Sequence, residues 1–323
     1  MNAHALIWLL IAAFAAADIL LLAAQGITIT KFSIPLLGMI LMCGVSFLYR
    51  RRSPYIAFLS ITVAEIVAFS YVGALLTYGA LAASPFPMAD ELLSRADAAL
   101  GFDWLKWAAF VNAHPKFHLV LALAYSSIPV QGFGLIGYFA VNDTRRVQEF
   151  LLAAILSIAL ITPVMVLLPA VGEPSHHLGG VVERWAQDIL ALRSHTLLVI
   201  GDTDGIVFFP SFHTVLAVLF ANMARDRKWF IPVLILNLLM IASVPTEGAH
   251  YGVDVLSGLA VACVALGATR YLLAPSTNTF GAMANMPAAI AVTPRIKLHE
   301  DEAIGRAHPI DTGISATKVA ADP

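Results

Sequence analysis

Charged residues are scarce in this sequence. Lys, Arg, Asp and Glu together make up 12% of the 323 residues, whereas 59% are hydrophobic. Soluble domains carry about twice that share of charge, so the composition excludes an ordinary soluble domain. The formal net charge of −2 shows no basic excess, and we therefore expect no nucleic-acid partner. Several apolar runs reach the roughly 20 residues that cross a bilayer, which predicts an all-α polytopic membrane protein.

Cysteine is also rare. The chain contains two, Cys43 and Cys263, and each lies inside an apolar run, where a thiol behaves as a small hydrophobic side chain. With so few cysteines, neither a disulfide framework nor a cysteine-based zinc site is expected. We expect neither a cofactor nor a metal ion.

Eight apolar segments are predicted to span the membrane as a helical bundle. They cover residues 5–24, 32–49, 55–83, 117–140, 150–171, 206–224, 229–244 and 251–273. Residues 1–54 are predicted to hold two additional helices that precede a six-helix core at 55–273. Residues 274–323 lack hydrophobic periodicity and are predicted to form a disordered cytoplasmic tail.

The segment between the third and fourth predicted spans has a different character. Residues 84–115 mix prolines with charged side chains, and Trp104, Trp107 and Phe110 recur there at helical spacing. Part of this segment is therefore predicted to lie on the membrane surface.

Clusters of basic residues predict the orientation. Arg50–Arg52, Arg145–Arg146 and Arg225–Lys228 fall in alternate connections between the predicted spans. Because basic loops stay on the cytoplasmic side, these three connections are predicted to be cytoplasmic and the others to face outward. Eight spans also place both termini inside.

Two histidines stand at matching ends of neighbouring apolar segments. His250 precedes Asp254 by four residues, which on a helix would place both side chains on one face. A carboxylate in that position fixes one tautomer of the imidazole and raises its basicity, as a nucleophilic or acid–base histidine requires. His213 is the other histidine, at the outer start of the sixth predicted span.

The residues before His213 predict an anion site. Pro210 is predicted to start a helix, because a proline there loses no hydrogen bond. The next N–H groups would then be free to bind an anion with the help of the helix dipole. His213, in the same turn, could protonate an oxygen that leaves a phosphate. Together the two histidine motifs predict phosphoryl transfer.

These motifs also carry a resemblance to a known family. Pro-Ser-Phe-His-Thr and Gly-Ala-His-Tyr-Gly-Val-Asp resemble the second and third motifs of the type 2 phosphatidic acid phosphatase superfamily, written P-S-G-H and S-R-x5-H-x3-D. The Phe212 substitution and the His-Tyr pair are closer to the branch of the inositol phosphorylceramide synthases (aureobasidin targets) and their bacterial relatives. The resemblance covers roughly residues 85–269.

The resemblance implies a membrane phosphatase or phosphotransferase with a phosphohistidine intermediate. His250 would be the nucleophile, Asp254 would orient it, and His213 would protonate the leaving oxygen. Ser211, Phe212 and nearby backbone N–H groups would hold the phosphate. The substrate would be a phospholipid, sphingolipid or polyprenyl phosphate, and the site would face the periplasm from a bacterial inner membrane.

Two family arginines are missing. The first motif, K-x6-R-P, is absent, and Arg193 is predicted to replace its cation, with Arg184 as the second choice and plain solvation as the alternative. Val244 stands where the third motif has its arginine. A substitute clamp could come from loop histidines that could equally be ordinary loop residues, His176, His177 and His195.

The acceptor of the phosphoryl group remains open between water and an alcohol. Phe212 slightly favours an alcohol, hence a transferase, and Glu247 could either contact a hydroxylated acceptor or cap the last helix. A lipid-binding or transport protein is the non-enzymatic alternative. The missing arginines favour it, whereas intact His213, His250 and Asp254 oppose it.

Overall fold

The computed structural model describes residues 3–172, 184–201 and 206–274. In this part of the chain there are twelve helices and one pair of short strands, which confirms the all-α prediction. The elements in chain order are α1 Ala3–Ala24, β1 Thr28–Ile29, α2 Ser33–Tyr49, α3 Pro54–Ala83, α4 Asp90–Ala99, α5 Trp104–Ala113, α6 Pro115–Tyr125, α7 Ile128–Asn142, α8 Thr144–Leu167, α9 Arg184–Arg193, β2 Val199–Ile200, α10 Phe212–Ala224, α11 Phe230–Glu247 and α12 Gly252–Leu272.

Five described helices are long and apolar enough to cross a membrane: α1, α3, α8, α11 and α12. Helices α6 and α7 together would form a sixth span, bent by 47°. The two other predicted spans are shorter apolar helices, α2 with 17 residues and α10 with 13. At 1.5 Å per residue, α10 is about 20 Å long, less than the ~30 Å of a hydrocarbon core. The polytopic character is confirmed, and the number of eight spans remains a prediction.

The fourth predicted span is broken into two helices. Helix α6 ends at Tyr125 and α7 begins at Ile128, with two serines between them. Pro129 explains the break, because its nitrogen has no hydrogen to donate to the Tyr125 carbonyl four residues earlier. The periodicity of the sequence runs through this point, so the break was not predicted.

Helix α8 lies at the centre of the bundle, where α3, α10 and α12 pack against it. Its inward side is fully buried, as Leu152, Ala153 and Ile155 illustrate. Helix α1 packs on α3 and α8, and α2 packs on α3. Strand β1 pairs in parallel with β2, with Thr28 opposite Val199. The N-terminal helices are thus bound to the helices predicted as the core.

Two of the basic turns meet at one end of the bundle. Arg146 donates to the carbonyls of Met223 and Arg225, and the Arg225 guanidinium lies 2.7 Å from Glu149 Oε2. Arg225 follows the last residue of α10, whereas Ser211 precedes its first. The basic turn and the Pro-Ser-Phe-His motif therefore lie at opposite ends of one helix.

The surface segment differs in part from its prediction. Trp104 is 8% exposed, and its Nε1–H donates to the Pro245 carbonyl at 2.9 Å. It therefore packs on the end of α11 instead of facing the membrane. Trp107 and Phe110 stack at 6.0 Å, and Phe110 is 48% exposed, so this side of α5 stays outward.

Candidate active site

The start of α12 brings His250 and Asp254 together. His250 lies two residues before the helix and not on it, so the predicted shared helical face is wrong. Asp254 is the third helical residue, and its Oδ2 accepts the Tyr251 N–H at 2.9 Å. The same oxygen lies 3.0 Å from His250 Nδ1. The four-residue spacing gives the contact because the third side chain of a helix reaches back to the residues before it.

The environment of His250 favours a neutral imidazole. The residue is 2% exposed and Asp254 is fully buried. Burial lowers the pKa of His250 to about 4, because the charged ring loses its hydration, while a hydrogen bond to the Phe208 carbonyl acts in the opposite direction. At neutral pH the ring therefore keeps a lone pair for attack on an electrophile.

The start of α10 provides N–H donors. Ser211 is the N-cap, and its Oγ accepts the Thr214 N–H at 3.2 Å. Pro210 precedes this cap and is not the first helical residue, so the predicted helix start was wrong. The cap position is taken by Ser211 because a serine oxygen can accept a backbone N–H. The N–H groups of Phe212 and His213 have no partner among the described residues. These N–H groups and the helix dipole form a site for an anion.

The two motifs are joined directly. The Ser211 N–H donates to the Asp254 carbonyl at 3.1 Å, so the cap of α10 is bound to the first turn of α12. Gly258, one turn further along α12, permits this approach. A Cβ at Gly258 would lie 2.6 Å from the Ser211 carbonyl oxygen and 2.9 Å from Thr214 Cβ.

Tyr125 contacts His213 and lies close to His250, and no sequence pattern indicated this role. Its ring stacks on His213 with a centroid distance of 4.2 Å and an angle of 12°. Its Oη lies 3.5 Å from His213 Nδ1. A Cβ at Gly248 would lie 2.8 Å from the same Oη and 2.7 Å from His250 Cδ2. Both histidines are therefore neighbours of one phenol group.

Two buried carboxylates of α4 hold the segment around His250. Asp97 accepts the N–H groups of Gly252 and Val253, each at 2.7 Å. Asp90 Oδ1 accepts the Tyr251 hydroxyl at 3.0 Å, as well as the N–H groups of the two residues that follow Ala170. Seven residues separate the two aspartates, so they share the inner face of α4. That spacing was the signal that sequence reasoning missed.

Comparison with known protein families identifies the family of the chain. A family model described as the PAP2 superfamily matches residues 91–268, which is more than half of the chain and includes both histidines, Asp254 and all of α4 except Asp90. The chain belongs to this superfamily. Membership implies a phosphatase-type activity on lipid phosphates in a membrane setting. No curated protein and no solved structure matches the chain.

The hydrogen bonds of Arg193 in the described part of this PAP2 protein are with backbone carbonyls and not with the histidines. Its guanidinium donates to the carbonyls of Ser84, at 3.2 Å, and Phe86, so its described contacts stabilise the connection between α3 and α4. His195 is exposed and has a φ of 53°. The remaining predicted candidates lie outside the described residues or side chains: His176, His177 and Arg184.

The third-motif region departs from the superfamily pattern in the same way. Val244 is fully buried, so the position where the motif has arginine is part of the packed interior. Glu247 lies 3.0 Å from His118 Nε2 on α6 and does not cap α12, where Asp97 and Asp254 accept the N–H groups. Among the described residues, no group of three or more His, Cys, Asp or Glu could hold a metal ion.

Proposed function

We propose that this protein cleaves or transfers the phosphoryl group of a membrane lipid through a phosphohistidine on His250. The observation that carries the proposal is the buried His250–Asp254 contact beside the α10 N-terminus. A neutral, oriented imidazole next to free N–H donors is the arrangement that in-line attack on phosphorus needs.

In the first step, His250 Nε2 attacks phosphorus, because Nδ1 is directed at Asp254; the ring gives up its hydrogen bond to the Phe208 carbonyl when the phosphate binds. The N–P bond forms as the bond to the lipid oxygen breaks. His213 enters this step as the imidazolium, stabilised by the bound phosphate anion, donates its proton to that oxygen and becomes neutral. Asp254 stabilises the positive charge that develops on the ring. The N–H groups of Phe212 and His213 bind the equatorial phosphate oxygens, and Ser211 holds those N–H groups in place.

In the second step, His213 accepts the proton of an incoming hydroxyl group, whose oxygen attacks phosphorus. The N–P bond breaks and His250 returns to its neutral form. Water as the acceptor gives phosphatase activity, and an alcohol gives phosphotransferase activity. Glu247 lies close enough to Tyr125 for its charge to act on the phenol, and its carboxylate is our candidate contact for the acceptor hydroxyl.

The orientation of the site belongs to the same proposal. The basic turn at Arg225 lies at the end of α10 opposite Ser211, and Arg146 contacts that turn. If basic turns stay in the cytoplasm, the site faces outward, which is the periplasm in a bacterial inner membrane. The substrate phosphate would then lie near the outer interface.

Trapping of the phosphoenzyme tests this proposal. Purified protein in detergent is mixed with labelled phosphatidic acid, a polyprenyl diphosphate or phosphatidylinositol, and acid-labile, base-stable protein phosphate is measured together with released phosphate and new lipid products. We expect turnover of at least one donor, and His250→Ala should abolish the labelled protein. His195→Asn is the matched control, because it removes an exposed histidine and asparagine tolerates a positive φ.

Two results would contradict the proposal. Label that still accumulates on His250→Ala would assign the nucleophile to another residue, with His213 the next to test. Binding of these lipids without turnover or phosphoenzyme would favour the lipid-binding alternative.

A further inference from the structure

An apolar groove runs along the side of α10. It has a volume of about 390 Å³ and is bounded by α3, α7, α8 and α10. Helix α10 contributes Phe212, Leu216 and Phe220, which follow one another at four-residue spacing along one face of the helix. Ser70 is the single polar side chain among its lining residues. A polar ligand would leave its own hydrogen-bonding groups unpaired here, so the groove suits a hydrocarbon.

One end of the groove meets the candidate active site. Phe212 lines the groove and is the first residue of α10, directly before His213. On the other wall, α6 ends with Tyr125 at His213, and α7 begins three residues later with Ile128 in the groove. The break between α6 and α7 thus lies at the junction of the site and the groove.

The other end of the groove is closed by aromatic rings. Phe150 and Phe220 stack with a centroid distance of 5.1 Å, and both are nearly buried. Eight residues separate Phe212 from Phe220, which corresponds to about 12 Å along α10. Phe133, on the α7 wall, is 80% exposed, so the groove is open on the side where lipid would surround the bundle.

We propose that this groove binds one hydrocarbon tail of the lipid whose phosphate lies at the start of α10, and that the Phe150–Phe220 pair limits the length of tail that fits. The proposal rests on the proposed function, since it takes the phosphate position from it. The tail is the occupant because a lipid held by its phosphate beside Phe212 has its apolar part within reach of this groove. Gly132 and Gly137 have no side chains, so α7 leaves the groove unfilled at these two positions.

Those glycines allow a direct test. A Cβ at Gly132 or at Gly137 would meet no atom within 4 Å, so a leucine at either position extends into the groove without a backbone clash. Gly134 is equally open but is exposed and does not line the groove, so Gly134→Leu is the matched control. Replacing glycine inside a helix also favours the helix, by up to about 1 kcal/mol, so all three variants should fold.

The substrates are single-chain alkyl phosphates of two lengths, butyl phosphate and dodecyl phosphate. We expect Gly132→Leu and Gly137→Leu to lower kcat/KM for dodecyl phosphate roughly 15- to 60-fold, as the loss of two or three buried methylene groups at about 0.8 kcal/mol each implies. For butyl phosphate the change in Gly137→Leu should stay below about twofold, because Gly137 lies about 13 Å along α7 from Ile128 and a four-carbon chain does not reach it. Gly134→Leu should leave both values unchanged.

A second readout does not depend on turnover. Dodecyl phosphate with a diazirine at the tail end is photolysed with the protein, and labelled residues are mapped by mass spectrometry. We expect label at Phe150 and Phe220, and its loss in Gly132→Leu.

The outcomes separate the two proposals. Turnover of dodecyl phosphate that is unaffected by filling the groove, or affected equally by Gly134→Leu, overturns the groove and leaves the proposed function. Label elsewhere on the protein overturns the groove as well. If the wild type releases no phosphate but is labelled at the aromatic pair, the proposed function fails and the groove stands.

Discussion

Asp97→Ala tests whether α4 is a structural support for the nucleophile. The carboxylate accepts the N–H groups of Gly252 and Val253, each at 2.7 Å, and it is 3% exposed. Its removal leaves two partly buried donors at the start of α12 without their partner, only two residues after His250. We expect both the stability of the protein and the placement of His250 to suffer.

The magnitude follows from the burial of these bonds. Hydrogen bonds to a charged group contribute roughly 1.5–3 kcal/mol each, so two of them set an upper limit of about 6 kcal/mol. Two facts reduce this value. Burial raises the pKa of Asp97, because the carboxylate loses hydration, so part of the gain is already offset. Asp254 also continues to accept the Tyr251 N–H. We expect a loss of about 2–4 kcal/mol in the free energy of unfolding.

Thermal denaturation in detergent measures this loss, with an expected fall in Tm of roughly 4–8 °C. Asp103→Ala is the control. Asp103 also caps a helix, by accepting the Lys106 N–H at 3.0 Å, but it is exposed, so water replaces it and Tm should hardly move. kcat should fall in Asp97→Ala even well below its Tm, because His250 is displaced. Equal Tm values for the two variants, or full activity in Asp97→Ala, would show that α4 does not support His250.

Two further variants probe the pocket between the histidines. Tyr125→Phe should lower kcat by less than roughly threefold, because the phenol is 3.5 Å from His213 Nδ1, whereas Tyr125→Leu removes the stacked ring and should cost roughly 10- to 100-fold. Steady-state kinetics with the best donor measures both kcat values, and equal values for the two variants would contradict this interpretation. Gly248→Ala should lower both kcat and Tm, because its Cβ would lie 2.7 Å from His250 and 2.9 Å from the Val244 carbonyl oxygen. Wild-type values for both quantities would show that the pocket is looser than the structure indicates.

Sequence motifs predicted the residues at the centre of the site but not the residues that support them. The His250–Asp254 pair was predicted because four residues is a short-range distance, which local structure largely fixes. The position of Asp97 depends on how α4 packs against α12, which are 155 positions apart at Gly252. No local pattern encodes such a contact. The heptad spacing of Asp90 and Asp97 marks a helix face, but it does not say what that face meets.

Apolar runs predicted the helices better than their ends. Hydropathy is an average over many residues, so it located the bundle but passed over the Tyr125–Ile128 break and the short α10. Both features lie at the site. The N–H groups of α10 are available because the helix begins late in its apolar segment, and Tyr125 reaches His213 because α6 stops there. In each case a single proline or cap decides the outcome, and its effect on averaged hydropathy is small.

The missing arginines also bear on the choice of donor. Among the described residues, Val244 replaces one of them in the packed interior, and Arg193 is bound to backbone carbonyls. Among the described groups, the α10 N–H groups and His213 then contribute most of the positive potential that balances the phosphate charge. A phosphate monoester carries a charge of about −1.5 to −2 at neutral pH, whereas a phosphodiester carries a single charge. A site with fewer cations therefore binds the singly charged diester at a smaller electrostatic cost than the monoester. We therefore expect phosphatidylinositol to exceed phosphatidic acid in the donor comparison.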